Sequence, residues 1–439
     1  MASQCDTRLD WSLEAIANAS RLRRRSSAAQ GHHVKTAFLY ATIKEEVHIE
    51  LPKTAQTGAE DVVGRLNKTL YGLHQSPREW HLLLSSWLKS QGFIRSDTEP
   101  CVFLKDIGTD VQLIVAVFVD DLVISSPSDA VVEQFKTSIS ERFQMTDNGP
   151  IDNVLGISVD YNREHRVMTL SQIGYTKAVL SRFGMSESKP VPTPLMPQAQ
   201  VGSADESGSA EPFDPKWYRS AIGSLMYLST ATRPDIAYAV GALARHMNNP
   251  CEHHAIAVKR VLRYLAGTQS LGLTFTGNRK DVNTLVGYSD ADFAEDKDTR
   301  KSTSGICFIL NGAAVSWTSK RQSTVASSTA EAEYTALFSA TQDSVFLSQL
   351  LKDIGVEVLP ITLREDNQPA IHIATNPVTS RHSKHFDVRL HYTREKLQDG
   401  LINIVYCETA DMVADMLTKA LDRVKLEKHR TRALGLGDL

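Results

Sequence analysis

GYSDADFAEDKDTRKSTSGICFILNGAAVSWTSK, residues 287–320, runs directly into RQSTVASSTAEAEYTALFS, residues 321–339. Its apolar and β-branched residues group into three short strands, Leu285–Phe293, Ser304–Leu310 and Ala313–Thr318, before a long helix from Ala330 to about Ile354. Further on come a strand at Ile361–Arg364, a short helix, a helix over Asp387–Gln398, a strand at Ile402–Cys407 and a terminal helix. Strands first, then alternating helices and strands, predict a mixed five-stranded sheet flanked by helices, an α/β (α+β) arrangement.

Four acids fall where such a sheet would gather them. Asp290 lies mid-strand, Glu333 near the start of the long helix, Asp366 just past the fourth strand, and Asp415 at the beginning of the last helix. Oxygen ligands drawn from separate elements suit Mg²⁺ (or Mn²⁺), and a compact acidic cage is what two-metal phosphodiester hydrolysis requires. Taken one at a time, each acid is equally well an ordinary surface residue. Glu331 competes with Glu333, but Ser328-Thr-Ala-Glu331 has the form of a capping box. Positions two apart on a helix are separated by about 200°, so Glu331 is expected to cap and Glu333 to face the cage.

The bulk composition excludes little. The chain has 439 residues, 42% apolar and 23% charged, with a formal net charge of -3, so two or three soluble domains are expected. No apolar run is long enough to span a membrane. The five cysteines are scattered without a C-x-x-C pair, which fits a reducing intracellular compartment, cytoplasmic or nuclear, and speaks against a zinc ribbon. His382, Lys384 and His385 offer H-x-x-H spacing, but a basic loop contacting phosphates suits them better than zinc.

Upstream, Leu113–Ser125 (LIVAVFVDDLVIS) reads as a strand–turn–strand hairpin around Asp120-Asp121. Residues 191–212, rich in Pro, Ser, Gly and acids, read as a linker. A helical connection follows to about residue 282, opened by Asp214-Pro215 as cap and first helical position. Residues 1–33, Ser/Ala/Arg-rich, are expected to be a disordered tail or a misjoined segment, and residues 426–439 a basic tail.

Several long motifs in order resemble copia-type retrotransposon polyproteins. Residues 287–339, Arg364–Ile371 (REDNQPAI), His382–Glu395 (HSKHFDVRLHYTRE) and Thr409–Lys419 (TADMVADMLTK) are similar to the family's RNase H domain. The resemblance implies Asp290, Glu333, Asp366 and Asp415 as metal-binding catalytic carboxylates over residues 283–425, acting on RNA/DNA hybrids. It also implies Asp290 as the bridging ligand.

Val34–Pro52, Leu70–Trp80 (LYGLHQSPREW), Phe118–Ile124 (FVDDLVI), Leu155–Val159 and Leu170–Tyr175 are similar to the family's reverse transcriptase. This implies a palm remnant over residues 34–190, with Asp120 and Asp121 as metal ligands and Gln75, Ser76 and Arg78 in the nucleotide-facing segment. Template RNA and DNA, and other retrotransposon proteins, are the implied partners.

One departure stands out. The family's third polymerase acid should immediately precede Val34, and His33 is there. An imidazole supplies neither negative charge nor a bridge between two magnesium ions. The sequence therefore predicts an RNase H with polymerase activity lost. The alternatives are a complete reverse transcriptase with a wrong first segment and a non-catalytic nucleic-acid-binding remnant.

Overall fold

The structure, a computed structural model, describes residues 28–51, 63–197, 201–203, 211–279, 281–376 and 387–437. They form two compact units that divide between Ile151 and Asp152.

In the first unit, strands β1 (Ala28–Val34), β4 (Ile94–Arg95), β5 (Val102–Lys105), β6 (Leu113–Phe118), β7 (Asp121–Ser126) and β8 (Met145–Pro150) make an antiparallel sheet of order β4-β5-β6-β7-β1-β8. A small ribbon pairs β2 (His48–Glu50) with β3 (Val63–Arg65). Helices α1 (Ser76–Ser90) and α2 (Asp129–Arg142) contribute Trp80, Leu84, Leu88, Val132, Phe135 and Ile139 to a core shared with Val115 and Ile124 of the sheet.

The hairpin expected around Asp120-Asp121 is β6–β7. The tail expected over residues 1–33 needs correction where it can be described. Residues 1–27 lie outside the described residues, but Ala28–His33 belong to a strand paired on both sides. The sequence AAQGHH has no β-branched residue to announce it, and Gln30 and His32 are buried because neighbouring strands flank them.

The second unit begins with β9 (Asn153–Val154), β10 (Ile157–Asn162) and β11 (Val167–Ser171), which pair in the order β12-β11-β10-β9 with β12 (Gly272–Thr276). These strands belong to the second compact unit. The β11–β12 ladder joins Leu170 to Leu273, a separation that local patterning cannot reveal.

Between these strands lie α3 (Ile173–Arg182), α4 (Pro215–Ala231), α5 (Ala237–Ala244) and α6 (Glu252–Ala266). Asp214 caps α4 as expected, accepting from the Lys216 and Trp217 amides. A fully buried pair, Arg233 and Asp235, fixes the corner after α4 through two bonds of 2.9 and 2.8 Å, and Tyr264 of α6 donates to Asp235 at 2.6 Å.

The five-stranded sheet has order β15-β14-β13-β16-β17, from β13 (Val286–Ala291), β14 (Thr303–Leu310), β15 (Ala313–Arg321), β16 (Ile361–Glu365) and β17 (Ile402–Tyr406). The first three strands are antiparallel and β13-β16-β17 are parallel, so the fold is the mixed α/β one expected. Helices α7 (Thr329–Asp353), α8 (Gln368–Thr375) and α9 (Asp387–Gln398) complete it with α10 (Arg423–Leu434).

The basic tail expected from residue 426 is instead mostly α10. Leu426, His429, Ala433 and Leu434 recur at helical spacing and are buried, while the cations occupy the other faces. Gly435 ends the helix with φ of 70°, a conformation that favours glycine. Among the described residues no helix is long and apolar enough to cross a membrane.

Candidate active site

The parallel register of β13 with β16 builds the site. Tyr288 pairs with Arg364, so two residues on, Asp290 and Asp366 fall side by side at the carboxyl end of the parallel strands. Gly287 permits this close pairing, since a Cβ there would meet Leu363 and Phe308 at 2.5 and 2.6 Å. Asp290 is thus near the end of its strand rather than in its middle.

Glu333, in the first turns of α7, accepts the Ala291 amide at 2.7 Å, so the helix start is tied to the strand end. The Glu331 amide donates to Ser328 Oγ at 3.2 Å while its carboxylate accepts from the Ser327 amide at 2.8 Å. Glu331 therefore caps and Glu333 faces inward, with the cap shifted one residue from the expected box.

Carboxylate oxygens of Asp290, Glu333 and Asp366 lie within 4.8 Å of one another. Asp366 is half-exposed and accepts from Thr409 Oγ1 at 2.7 Å, whereas Asp290 and Glu333 are buried.

Asp415 is close by but placed differently from expectation. It sits in a 3-10 turn, Val413–Leu417, and the last helix starts only after Asp422, whose side chain caps it by accepting the Lys425 amide at 3.0 Å. Gly305 of β14 lets that turn approach, because a Cβ there would come within 2.7 Å of the Ala414 carbonyl. The Asp415 carboxylate is held by Lys419 Nζ at 2.7 Å, and the adjacent Thr418 hydroxyl donates to Asp290 Oδ2 at 2.5 Å.

This concentration of charge is visible in the acidities. Burial, then repulsion from Asp415, pushes the Asp290 carboxyl up to about 7 despite Lys419 and Thr418. Burial, then Glu365, Asp290 and Asp366, pushes Glu333 up to about 11. Burial works against the Lys419 ammonium, but Asp290 and Asp415 outweigh it and hold its pKa above the ordinary lysine range. A cage of hard oxygen ligands that resists ionisation alone is suited to a divalent cation such as Mg²⁺ or Mn²⁺.

Sequence reasoning missed Glu365, Thr418 and Lys419. Glu365 is fully buried, receives the Ser289 hydroxyl at 2.8 Å and the Asn367 amide at 3.2 Å, and so braces the two strands that carry Asp290 and Asp366. The signal was present: period-two burial along ITLRE puts Glu365 on the inward face with Ile361 and Leu363.

In the first unit, ladder pairing sets His33 opposite Asp121, and its Nδ1 lies 2.9 Å from Asp121 Oδ1. Tyr71 donates to Asp120 Oδ2 at 2.7 Å, and the Trp80 indole donates to the Val119 carbonyl at 2.7 Å, fixing the turn. Gln75 and Arg78 flank the start of α1. The Ser76 hydroxyl is spent on the Leu70 carbonyl at 2.5 Å and its amide on the Leu73 carbonyl at 3.3 Å, and the residue is buried, so it offers a ligand nothing as it stands.

His382, Lys384 and His385 lie outside the described residues. A second cluster, Cys251, His253 and His254, also falls within 4.8 Å, but both His254 nitrogens are occupied. Nδ1 accepts the Cys251 amide at 3.0 Å, so Nε2 carries the hydrogen facing the Gly202 carbonyl at 2.8 Å, and the group reads as a helix cap.

The chain thus combines an antiparallel sheet that carries an aspartate doublet at its hairpin with a mixed sheet lined by acids, the two features by which it resembles the reverse transcriptase class. Residues 26–197 match the family Reverse transcriptase (RNA-dependent DNA polymerase), so the likeness begins upstream of Val34. The chain is 38% identical over 401 residues to the retrovirus-related Pol polyprotein from transposon TNT 1-94 of Nicotiana tabacum, covering 90% of this chain and 30% of that protein. It is 31% identical over 303 residues to a transposon Ty5-1 protein of Saccharomyces cerevisiae, covering 69% of this chain and 96% of the relative. A foamy viral protease-reverse transcriptase in complex with dsDNA covers 87% of this chain and 68% of its own at 12% identity, with a TM-score of 0.45. The chain belongs to the copia-type retrotransposon Pol family of reverse transcriptases. It spans under a third of the length of the tobacco polyprotein.

Proposed function

We propose that the second unit hydrolyses the RNA strand of RNA/DNA hybrids, and that the first unit no longer polymerises DNA. The observation that carries the nuclease reading is the convergence of Asp290, Glu333 and Asp366 within 4.8 Å, from three separate elements. These three residues would hold Mg²⁺ or Mn²⁺, with buried Asp415 close by; the ion supplies Lewis-acid stabilisation of the phosphate and activation of water. Thr418 orients Asp290 by its hydrogen bond, and the Ala291 amide fixes Glu333. Asp366, the half-exposed member, is the side from which a scissile phosphate enters. Groove shape and 2′-hydroxyls, rather than base edges, are the expected recognition features.

Loss of polymerisation rests on His33. It occupies the register position opposite Asp121 and engages that carboxylate, so an imidazole stands where the polymerase reaction calls for a third negative charge. Gln75 and Arg78 are retained as a nucleotide-facing segment without a full metal site beside it, and Ser76 supports that segment from within through its bonds to Leu70 and Leu73. Template RNA and DNA, and other retrotransposon proteins, remain the partners this reading implies.

The test is cleavage of a labelled RNA/DNA hybrid with Mg²⁺ by the full chain beside Asp290→Asn, together with extension of a primed RNA template. Cleavage by the parent alone, without extension, is expected. No cleavage by folded parent protein overturns the nuclease reading, and processive extension overturns the loss of polymerisation.

A further inference from the structure

We propose that Lys419 is a built-in cation that keeps Asp415 out of direct metal coordination, so that the resting site takes one divalent ion and admits a second only when Lys419 is displaced. This rests on the reading of Asp290, Glu333 and Asp366 as metal ligands.

The geometry separates the fourth acid from the other three. Asp290, Glu333 and Asp366 already present oxygens within reach of a single ion. Asp415 is instead engaged by Lys419 Nζ at 2.7 Å, with the aspartate side chain 4% and the lysine side chain 33% exposed. An ion reaching Asp415 must therefore compete with an ammonium in contact with the carboxylate, in a setting little screened by water.

The placement is built into the chain. Asp415 and Lys419 are four residues apart in a tight turn, and the intervening Thr418 hydroxyl is anchored on Asp290. One short segment thus touches both the central acid and the peripheral one. It supplies a hydroxyl to Asp290 and a positive charge to Asp415. Arg at position 419 would preserve the charge, whereas Met would preserve only the aliphatic stem.

The reaction itself supplies the driver for displacement. A phosphate entering beside Asp366 offers the ammonium an alternative anionic partner, which frees Asp415 for a second ion. Occupancy of that second position is then coupled to substrate.

The experiment counts Mn²⁺ bound to the full chain by electron paramagnetic resonance and calorimetry, without nucleic acid, at neutral pH. One ion is expected for the parent and for Lys419→Arg. Two are expected for Lys419→Met, whose second ion should bind roughly 10- to 100-fold tighter than in the parent, the range set by loss of one charge-assisted bond. The double variant Asp415→Asn/Lys419→Met removes the pair together, so that Asp415 is not left as a buried unpaired charge. It should bind the first ion as the parent does and no second; if Lys419→Met does not fold, Lys419→Gln, which keeps a polar head without the charge, carries the test and should likewise bind two.

Two ions of similar affinity in the parent overturn the proposal, as does loss of the first ion in the double variant. A merely structural pair would leave the ion count of folded Lys419→Met at one, which also overturns it. No ion in the parent overturns the underlying metal reading as well. One ion bound without any hybrid cleavage leaves the Lys419 assignment standing while the nuclease reading fails.

Discussion

Replacing Asp290 by asparagine should stabilise the metal-free protein while abolishing hybrid cleavage. The Asp290 carboxyl is 2% exposed and titrates near 7 instead of its ordinary 3.8. A raised acid makes the folded chain bind more protons than the unfolded chain between those two values. Stability therefore falls as pH rises from about 4 to about 7, and the whole penalty is present above that window. At about 1.4 kcal/mol per pH unit, the penalty is about 4 kcal/mol.

Asparagine removes the charge and can still accept the Thr418 hydroxyl. In EDTA at pH 7.5 the variant should thus melt several degrees above the parent, with roughly 15 °C as the ceiling. At pH 4, where the parent's carboxyl is itself neutral, the difference should vanish. Added Mg²⁺ should raise the parent's melting temperature and leave the variant's almost unmoved. Differential scanning calorimetry across that pH series is the assay. A variant that melts below the parent at pH 7.5 in EDTA, or an advantage that grows toward pH 4, would refute the reasoning.

The other expectations concern the supports of the two sites. Gly305→Ala should push the Asp415 turn outward and cut hybrid cleavage on the order of 100-fold in a protein that circular dichroism shows to be folded, because the new Cβ would lie 2.7 Å from the Ala414 carbonyl. Glu365→Ala should cost about 1–3 kcal/mol by stranding the Ser289 hydroxyl and the Asn367 amide, and Glu365→Gln less than about 1, both read from urea unfolding. Asp235→Asn leaves Arg233 buried beside a neutral partner, and about 3–5 kcal/mol of stability should be lost in the same assay. His33→Asp, placed in an Asp290→Asn background so that the nuclease site is silent, should raise Mn²⁺ affinity at Asp120 and Asp121, measured by calorimetry.

How far the fold could be read in advance depended on where its information lies. The strands around Asp290 are marked by short apolar and β-branched runs and the helix Pro215–Ala231 by its cap Asp214, and they were legible. Strand Ala28–Val34 was not, since before Val34 it has no β-branched or aromatic residue and is held by its pairings on both sides, His33 opposite Asp121 and Thr146. Nor was Gly272–Thr276, joined to Val167–Ser171 across about a hundred residues. Local propensity is a weak guide wherever tertiary pairing decides the outcome.

The candidate site shows the same division at the level of single side chains. A carboxylate can be nominated from its type and neighbours, but what neutralises it cannot. Asp415 and Asp366 look alike in the sequence. One proves to be half-exposed with a threonine hydroxyl on it, and the other buried against an ammonium four residues away. That difference decides which acids are free to receive an ion, because a buried carboxylate already matched by a cation gains less from a metal than an unmatched one. By the same logic His33 is more than a missing ligand. It brings to Asp121 a partner of its own, so on the proposed reading the palm site lacks one acid and has a second engaged, while Asp290, Glu333 and Asp366 of the proposed nuclease site crowd within 4.8 Å with Lys419 and Thr418 offsetting only part of the repulsion on Asp290.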